Sequence, residues 1–175
     1  MLGAVARKHG IPIAYCNAVA GNDQLVFDGY SLALGKGGGV LAQLPGFAEC
    51  VAVADFASEA EAAHQPAARE ADLFGALVLG VRDYVRKCGF KTVLIGLSGG
   101  IDSALTAAVA AEAVCPENVL GVSMPSVYSS EGSKDDARVL AENLGVRYET
   151  VPIQRIFEQA KSELGGIFSR RWRRG

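Results

Sequence analysis

The run Gly96-Leu97-Ser98-Gly99-Gly100-Ile101-Asp102-Ser103 constrains the fold of this chain more than any other stretch. It follows the apolar residues Lys91-Thr-Val-Leu-Ile95 and opens the Ala-rich segment 101–114. A short β-branched run, then small residues, then a helical pattern make a strand–turn–helix unit. The start of such a helix presents backbone N–H groups without intrahelical acceptors, together with the positive end of the helix dipole, so anions bind there. Gly99 and Gly100 have no Cβ and let oxygen atoms approach the backbone closely. Ser98 and Ser103 add hydroxyl donors. Asp102 adds a carboxylate, which would repel phosphates unless a cation lies between, so it suggests magnesium. The stretch reads as a site for a nucleotide's phosphates. Set against this is a plain glycine-rich turn before a buried helix, with no ligand.

Two common phosphate loops are excluded. No Lys follows the glycines, as the Gly-Lys-Ser/Thr loop requires, and the dinucleotide fingerprint GxGxxG is missing. The Ser-Gly-Gly-Ile-Asp-Ser order instead resembles the pyrophosphate loop of the ATP-pyrophosphatase superfamily. That resemblance implies that the loop holds the β and γ phosphates of ATP and leaves the α phosphorus open to attack. An adenylated substrate and pyrophosphate are the implied products.

Two segments of different grammar meet near residues 55–68. The first predicts strands at 11–16, 25–27, 30–34, 40–44 and 49–54, separated by turn signals at Gly21-Asn-Asp23, Asp28-Gly29 and 35–39. Antiparallel hairpins are the arrangement that spacing implies. Residues 58–68 read as a solvated linker. The second segment predicts a helix at 68–88 stopped by Gly89, a strand at 91–97, and a helix at 101–114 with Ile101, Leu105, Ala108 and Val109 on one face. A strand at 118–124, a helix at 133–144 opened by Ser133 and Asp136 and closed by Gly145, a strand at 146–153 and a helix at 155–164 complete it. Strands alternating with helices make an α/β, Rossmann-like parallel sheet of the doubly wound type, with ligands at the carboxyl ends of its strands. Residues 98–103 and 125–130 should therefore face each other across one crevice.

The sequence around the loop is more specific. Gly121-Val-Ser-Met-Pro-Ser-Val-Tyr-Ser-Ser-Glu-Gly-Ser-Lys-Asp-Asp-Ala137, followed by Leu140-Ala-Glu-Asn-Leu-Gly145, resembles the corresponding segment of glutamine-dependent NAD synthetases. Tyr15-Cys-Asn17, Gly21-Asn-Asp-Gln-Leu-Val-Phe-Asp-Gly29 and Ser31 resemble the end of the nitrilase-type glutaminase domain of that family. The resemblance implies an adenine nucleotide alpha hydrolase-like fold preceded by a partial nitrilase-like β-rich segment. The implied division is residues 1–57 for the end of the glutaminase, 58–68 for the linker and 69–175 for the start of the synthetase domain. It further implies ATP-dependent amidation of deamido-NAD to NAD through an adenylate, with ammonia drawn from glutamine. Gly96, Leu97, Ser98, Gly99, Gly100, Ile101, Asp102 and Ser103 are then the ATP-binding residues, Asp102 the Mg2+ ligand, and Ser123 and Met124 the residues on the adenosine side. The full-length family members are oligomers. The family's glutaminase uses a Glu–Lys–Cys set whose nucleophile precedes the Gly-Asn-Asp region, so Cys16 is expected to pack in the core and not to react. Its Thr-Gly-Asn-Lys-Ser-Glu motif has no counterpart in this sequence. The expectation is therefore a two-ended fragment that forms little or no NAD on its own. A non-catalytic ATP-binding module and another amidotransferase or thiolating enzyme with the same loop are the alternatives.

Composition adds exclusions. A net charge of −2 gives no reason to expect nucleic acid or an anionic membrane as partner. The arginines at 170, 171, 173 and 174 crowd around Trp172, and that basic end reads as a truncated or out-of-frame terminus. The longest apolar stretch, 73–81, is too short to span a bilayer and is expected to be a buried helix face. Cys16, Cys50, Cys88 and Cys115 are scattered, with no CxxC pair, and are expected to be buried small hydrophobes in the reducing cytoplasm. Asp23 and Asp28, each near a glycine, read as turn residues, and His9 and His64 as surface residues.

Overall fold

A computed structural model describes residues 1–57, 62 and 68–171, and the side chains of these up to residue 165. The chain divides into two compact units, Met1–Gly89 and Phe90–Gly175. Most of the anticipated linker (58–68), with His64, lies outside the described residues, as do Trp172, Arg173 and Arg174.

The first unit contains α1 (Leu2–His9), β1 (Ile13–Tyr15), β2 (Val19–Asn22), β3 (Leu25–Asp28), β4 (Leu32–Leu34), β5 (Val40–Gln43) and α2 (Arg69–Lys87). Two antiparallel sheets form, one ordered β1-β4-β5 and the other a β2-β3 hairpin. Asp23 sits in the hairpin turn at φ 53°, a left-handed conformation that Asp tolerates, as expected of a turn residue. Asp28, expected in a turn, is instead the last residue of β3, and it accepts a 2.8 Å hydrogen bond from Asn17 Nδ2 in the β1–β2 connection. Helix α2 lies on the hairpin. Gly21 N–H donates to Asp83 Oδ2 at 2.8 Å, and Lys87 Nζ donates to the Gly21 carbonyl. A Cβ at Gly21 would come within 3.1 Å of the Gly80 Cα, so the two glycines permit this contact. Gly89 then ends the helical run at φ 75°.

The second unit is built on β6 (Val93–Gly96), β7 (Val119–Ser123) and β8 (Arg147–Thr150), paired in parallel in that order. The crossovers are α3 (Ile101–Val114) and α4 (Glu131–Leu144); α5 (Gln154–Arg171) follows β8. The core joins Ile95, Leu97, Ala107, Ala110, Ala111, Val119, Ala137, Ala141 and Val146. Each of the larger members contributes roughly 2 kcal/mol through apolar burial. Leu97 anchors the loop that leaves β6. Its backbone N–H donates to the Val122 carbonyl at 2.8 Å, and its side chain occupies space that a Cβ on Gly121 would fill, 2.5 Å from Leu97 Cδ1. The loop thus departs from the sheet at a fixed point.

Several expectations are corrected. Residues 49–54 form no strand: no partner pairs with them among the described residues, and Val51 and Val53 are each 96% exposed. The alternation there has no sheet to serve. Conversely, Val19–Asn22 is a strand, and 2–9 is a helix closed by Gly10 at φ 64°. The core side of α3 is its alanine face, which packs closely on the sheet. Ile101 and Leu105 are 81% and 53% exposed. Helix α4 starts at Glu131 and not at Ser133, because Ser130 is the cap and accepts from Ser133 N–H at 3.1 Å. The stretch 73–81 buries Val78 and Leu79 while leaving Leu73 and Leu77 exposed. All four cysteines, Cys16 included, are exposed free thiols rather than core residues. Among the described residues no helix is long and apolar enough to cross a membrane.

Candidate functional site

At the carboxyl ends of β6 and β7 lies a cavity of about 200 Å³. Five of the residues singled out in the sequence line it: Gly96, Leu97, Ser98, Ser123 and Met124. Pro125, Ser129, Ser133 and Lys134 complete the wall, so the loops after the two strands do meet across one hollow. Gly99, Gly100, Ile101, Asp102 and Ser103 continue from this wall as the turn and first residues of α3, without lining the cavity themselves.

The turn is organised by its two serines. Ser98 Oγ and Ser103 Oγ are 3.1 Å apart, Ser98 N–H donates to Ser103 Oγ at 3.3 Å, and Ser103 Oγ donates to the Gly100 carbonyl at 2.9 Å. Gly100 N–H reaches Ser98 Oγ at 3.3 Å. These bonds close the loop on itself and fix where α3 begins. The N-cap position is Gly100, which has no side chain to accept from the first helical amides. The start of α3 is therefore left open to an external acceptor, whereas the start of α4 is closed by Ser130.

The opposite wall is also built by side-chain to backbone bonds. Ser126 N–H donates to Ser129 Oγ at 3.1 Å, Tyr128 N–H to Ser126 Oγ at 3.3 Å, and Val127 N–H to Gln154 Oε1 at 3.0 Å. Tyr128 packs edge-on against Phe157 at 5.6 Å, which holds this loop to α5. Ser123 is buried at the end of β7, while Met124 is half exposed.

Asp102 is exposed in the first turn of α3. No group of three or more His, Cys, Asp or Glu side chains able to hold a metal occurs among the described residues. One carboxylate beside a phosphate-sized hollow fits magnesium, which keeps several waters and takes one or two carboxylates plus substrate phosphates. It does not fit a closed zinc site.

Ser129 belongs to the 125–130 loop expected at this crevice, but Ser133 reads only as a helix start and Lys134 is not singled out by the sequence pattern. A lysine in a helix reads as part of a solvated face. A helix start placed at Ser133 also hides the side of α4 that turns to the cavity, and the Ser130 cap is the signal that reveals it.

Residues 73–167 match the family model described as NAD synthase. The chain belongs to this family. Among curated NAD synthetase relatives, the glutamine-dependent NAD(+) synthetase of Synechocystis sp. is 44% identical over 169 residues, which is 93% of this chain and 30% of that protein. The one from Rhodobacter capsulatus is 46% identical over 160 residues, 87% of this chain and 29% of that protein. The chain thus spans about 30% of the length of these curated relatives. A solved glutamine-dependent NAD+ synthetase from Acinetobacter baumannii, in complex with adenosine diphosphate, superposes with a TM-score of 0.89 at 36% identity, covering 95% of this chain and 33% of that one. The NH3-dependent NAD synthetase of Campylobacter jejuni matches with a TM-score of 0.51 at 30% identity over 55% of this chain and 42% of its own. The α/β fold read from the sequence, a parallel sheet preceded by an antiparallel β segment, is the one observed.

Proposed function

We propose that this chain carries the nucleotide-activating part of a glutamine-dependent NAD synthetase. Residues 1–57 are read as the end of the glutaminase domain, and the synthetase domain as starting at 69. The uncapped start of α3 beside the cavity carries the reading. It supplies amide hydrogens and a positive dipole end where two glycines give close access to the backbone. The complex of the Acinetobacter baumannii enzyme with adenosine diphosphate supports the same ligand class.

In this reading Gly96 to Ser103 hold the β and γ phosphates of ATP, and Ser98 and Ser103 orient the loop toward them. Ser123 and Met124 face the adenosine. Asp102 holds Mg2+, which when bound neutralises charge on the departing pyrophosphate. The α phosphorus is left open to the carboxylate of deamido-NAD. Attaching AMP turns a poor leaving oxygen into a good one, and ammonia then displaces it to give NAD. Glutamine is the ammonia source, and the working enzyme is an oligomer. Four exposed free thiols fit the reducing cytoplasm.

Because the relatives are about three times longer, we expect the 175 residues to bind ATP with magnesium and to form little or no NAD by themselves. The test titrates ATP with Mg2+ into the chain to read binding, then mixes the chain with ATP, deamido-NAD, ammonia and Mg2+ and measures AMP and NAD. Sustained NAD formation contradicts the second expectation, and absence of nucleotide binding contradicts the first.

A further inference from the structure

We propose that Lys134 is a phosphate-binding residue of this cavity, held in waiting by Glu131 and released to the polyphosphate when ligand enters. The inference rests on the nucleotide reading above and names a residue that reading did not include.

Among the described residues that line the cavity, Lys134 is the one charged side chain; its neighbours there are hydroxyls, glycine and apolar groups. Loop amides and hydroxyls alone leave a multiply charged anion poorly compensated. Lys134 also stands where a lysine is costly to a helix. It lies in the first turn of α4, so its ammonium faces the positive end of the dipole. That position is compensated locally by Glu131, whose Oε1 accepts from Lys134 Nζ at 2.7 Å. The two side chains are unequally exposed, 35% for Lys134 and 87% for Glu131. An ion pair with so exposed an acid is weak. A phosphate inside the hollow can therefore take the ammonium from Glu131, and a short lysine swing accomplishes the exchange without backbone movement.

The probe is magnesium tripolyphosphate, titrated calorimetrically into the wild-type chain and into Lys134→Met, Lys134→Arg and Glu131→Gln at several salt concentrations. We expect Lys134→Met to weaken binding about tenfold and to flatten its salt dependence. Lys134→Arg should restore most of it. Glu131→Gln should tighten binding severalfold, because a competitor for the ammonium and a repelling charge are both removed. A thermal melt identifies any variant that has lost its fold, and Glu131→Gln then carries the test alone. Equal affinity in Lys134→Met and wild type overturns the proposal. So does an absence of tripolyphosphate binding to the wild type, or weaker binding in Glu131→Gln. ATP titrated in the same series separates the two readings. Tripolyphosphate binding that depends on Lys134, with no ATP binding, rejects the nucleotide reading and leaves Lys134 as a polyanion ligand.

Discussion

Gly99 lies so close to Ser133 that a Cβ there would come 2.7 Å from the Ser133 Cα and closer still to its carbonyl oxygen. Its φ of 79° is one that L side chains rarely adopt. This contact joins the phosphate turn before α3 to the first turn of α4. One change at Gly99 should disturb both walls of the cavity.

Gly99→Ala is therefore expected to cost about 3 kcal/mol, from a left-handed backbone and from steric overlap together. Urea unfolding followed through the second unit checks this. Stability within about 0.5 kcal/mol of wild type would mean that the turn can move away from α4.

At the far end of α3 the strain has the opposite remedy. Cys115 adopts φ 68° and ψ 143° immediately before Pro116, a region suited to glycine. Cys115→Gly should stabilise the chain by about 1 kcal/mol, because relief of strain exceeds the added entropy of the unfolded chain. Differential scanning calorimetry reads the shift in Tm.

Ser130→Ala should cost about 1 kcal/mol, because the Ser133 amide loses its acceptor at the start of α4. Ser130→Asp should recover most of that loss, since its carboxylate can cap the same amide and sits at the positive end of the helix. Chemical denaturation of the pair of variants separates capping from side-chain size.

In the first unit Tyr30 Oη donates to Asp72 Oδ1 at 2.5 Å, and this bond holds the phenol's pKa above its ordinary value of 10.0, with burial and the Asp72 and Asp28 charges adding to the effect. A raised folded pKa means that the contribution is fully present below pH 10.0 and is lost as pH rises through the folded value. Tyr30→Phe should lower stability by about 1 kcal/mol at neutral pH. It should also remove this tyrosine's share of the loss above pH 10.0. Urea midpoints for both proteins at neutral and alkaline pH make the comparison.

The parts of the fold that were legible in the sequence are those written in local chemistry. Helix α3 spans 101–114 as expected, because a glycine turn precedes it and an alanine-rich run sustains it. Gly89 and Gly145 end their helices with positive φ, as glycines past a helix end do. The strand ends that carry Ser98 and Ser123 meet at one cavity, a consequence of parallel order. Features hidden from the sequence depend on contacts made elsewhere in the chain. Gly21-Asn-Asp23 reads as a turn, yet Gly21 sits within β2 because Gly80 of α2 packs against it. Ile101 and Leu105 look like a core stripe, but small alanines let α3 sit close to the sheet on a neighbouring face. Cys16 occupies a strand-like position and is nevertheless exposed at the end of β1.

The most direct test of the site is calorimetric titration of ATP into the 175-residue chain, with and without magnesium, for the wild type and Asp102→Ala. We expect magnesium-dependent binding in the wild type and loss of that dependence in Asp102→Ala. No heat with ATP, or magnesium-linked affinity unchanged by the substitution, would contradict the assignment of the α3 start as the phosphate site.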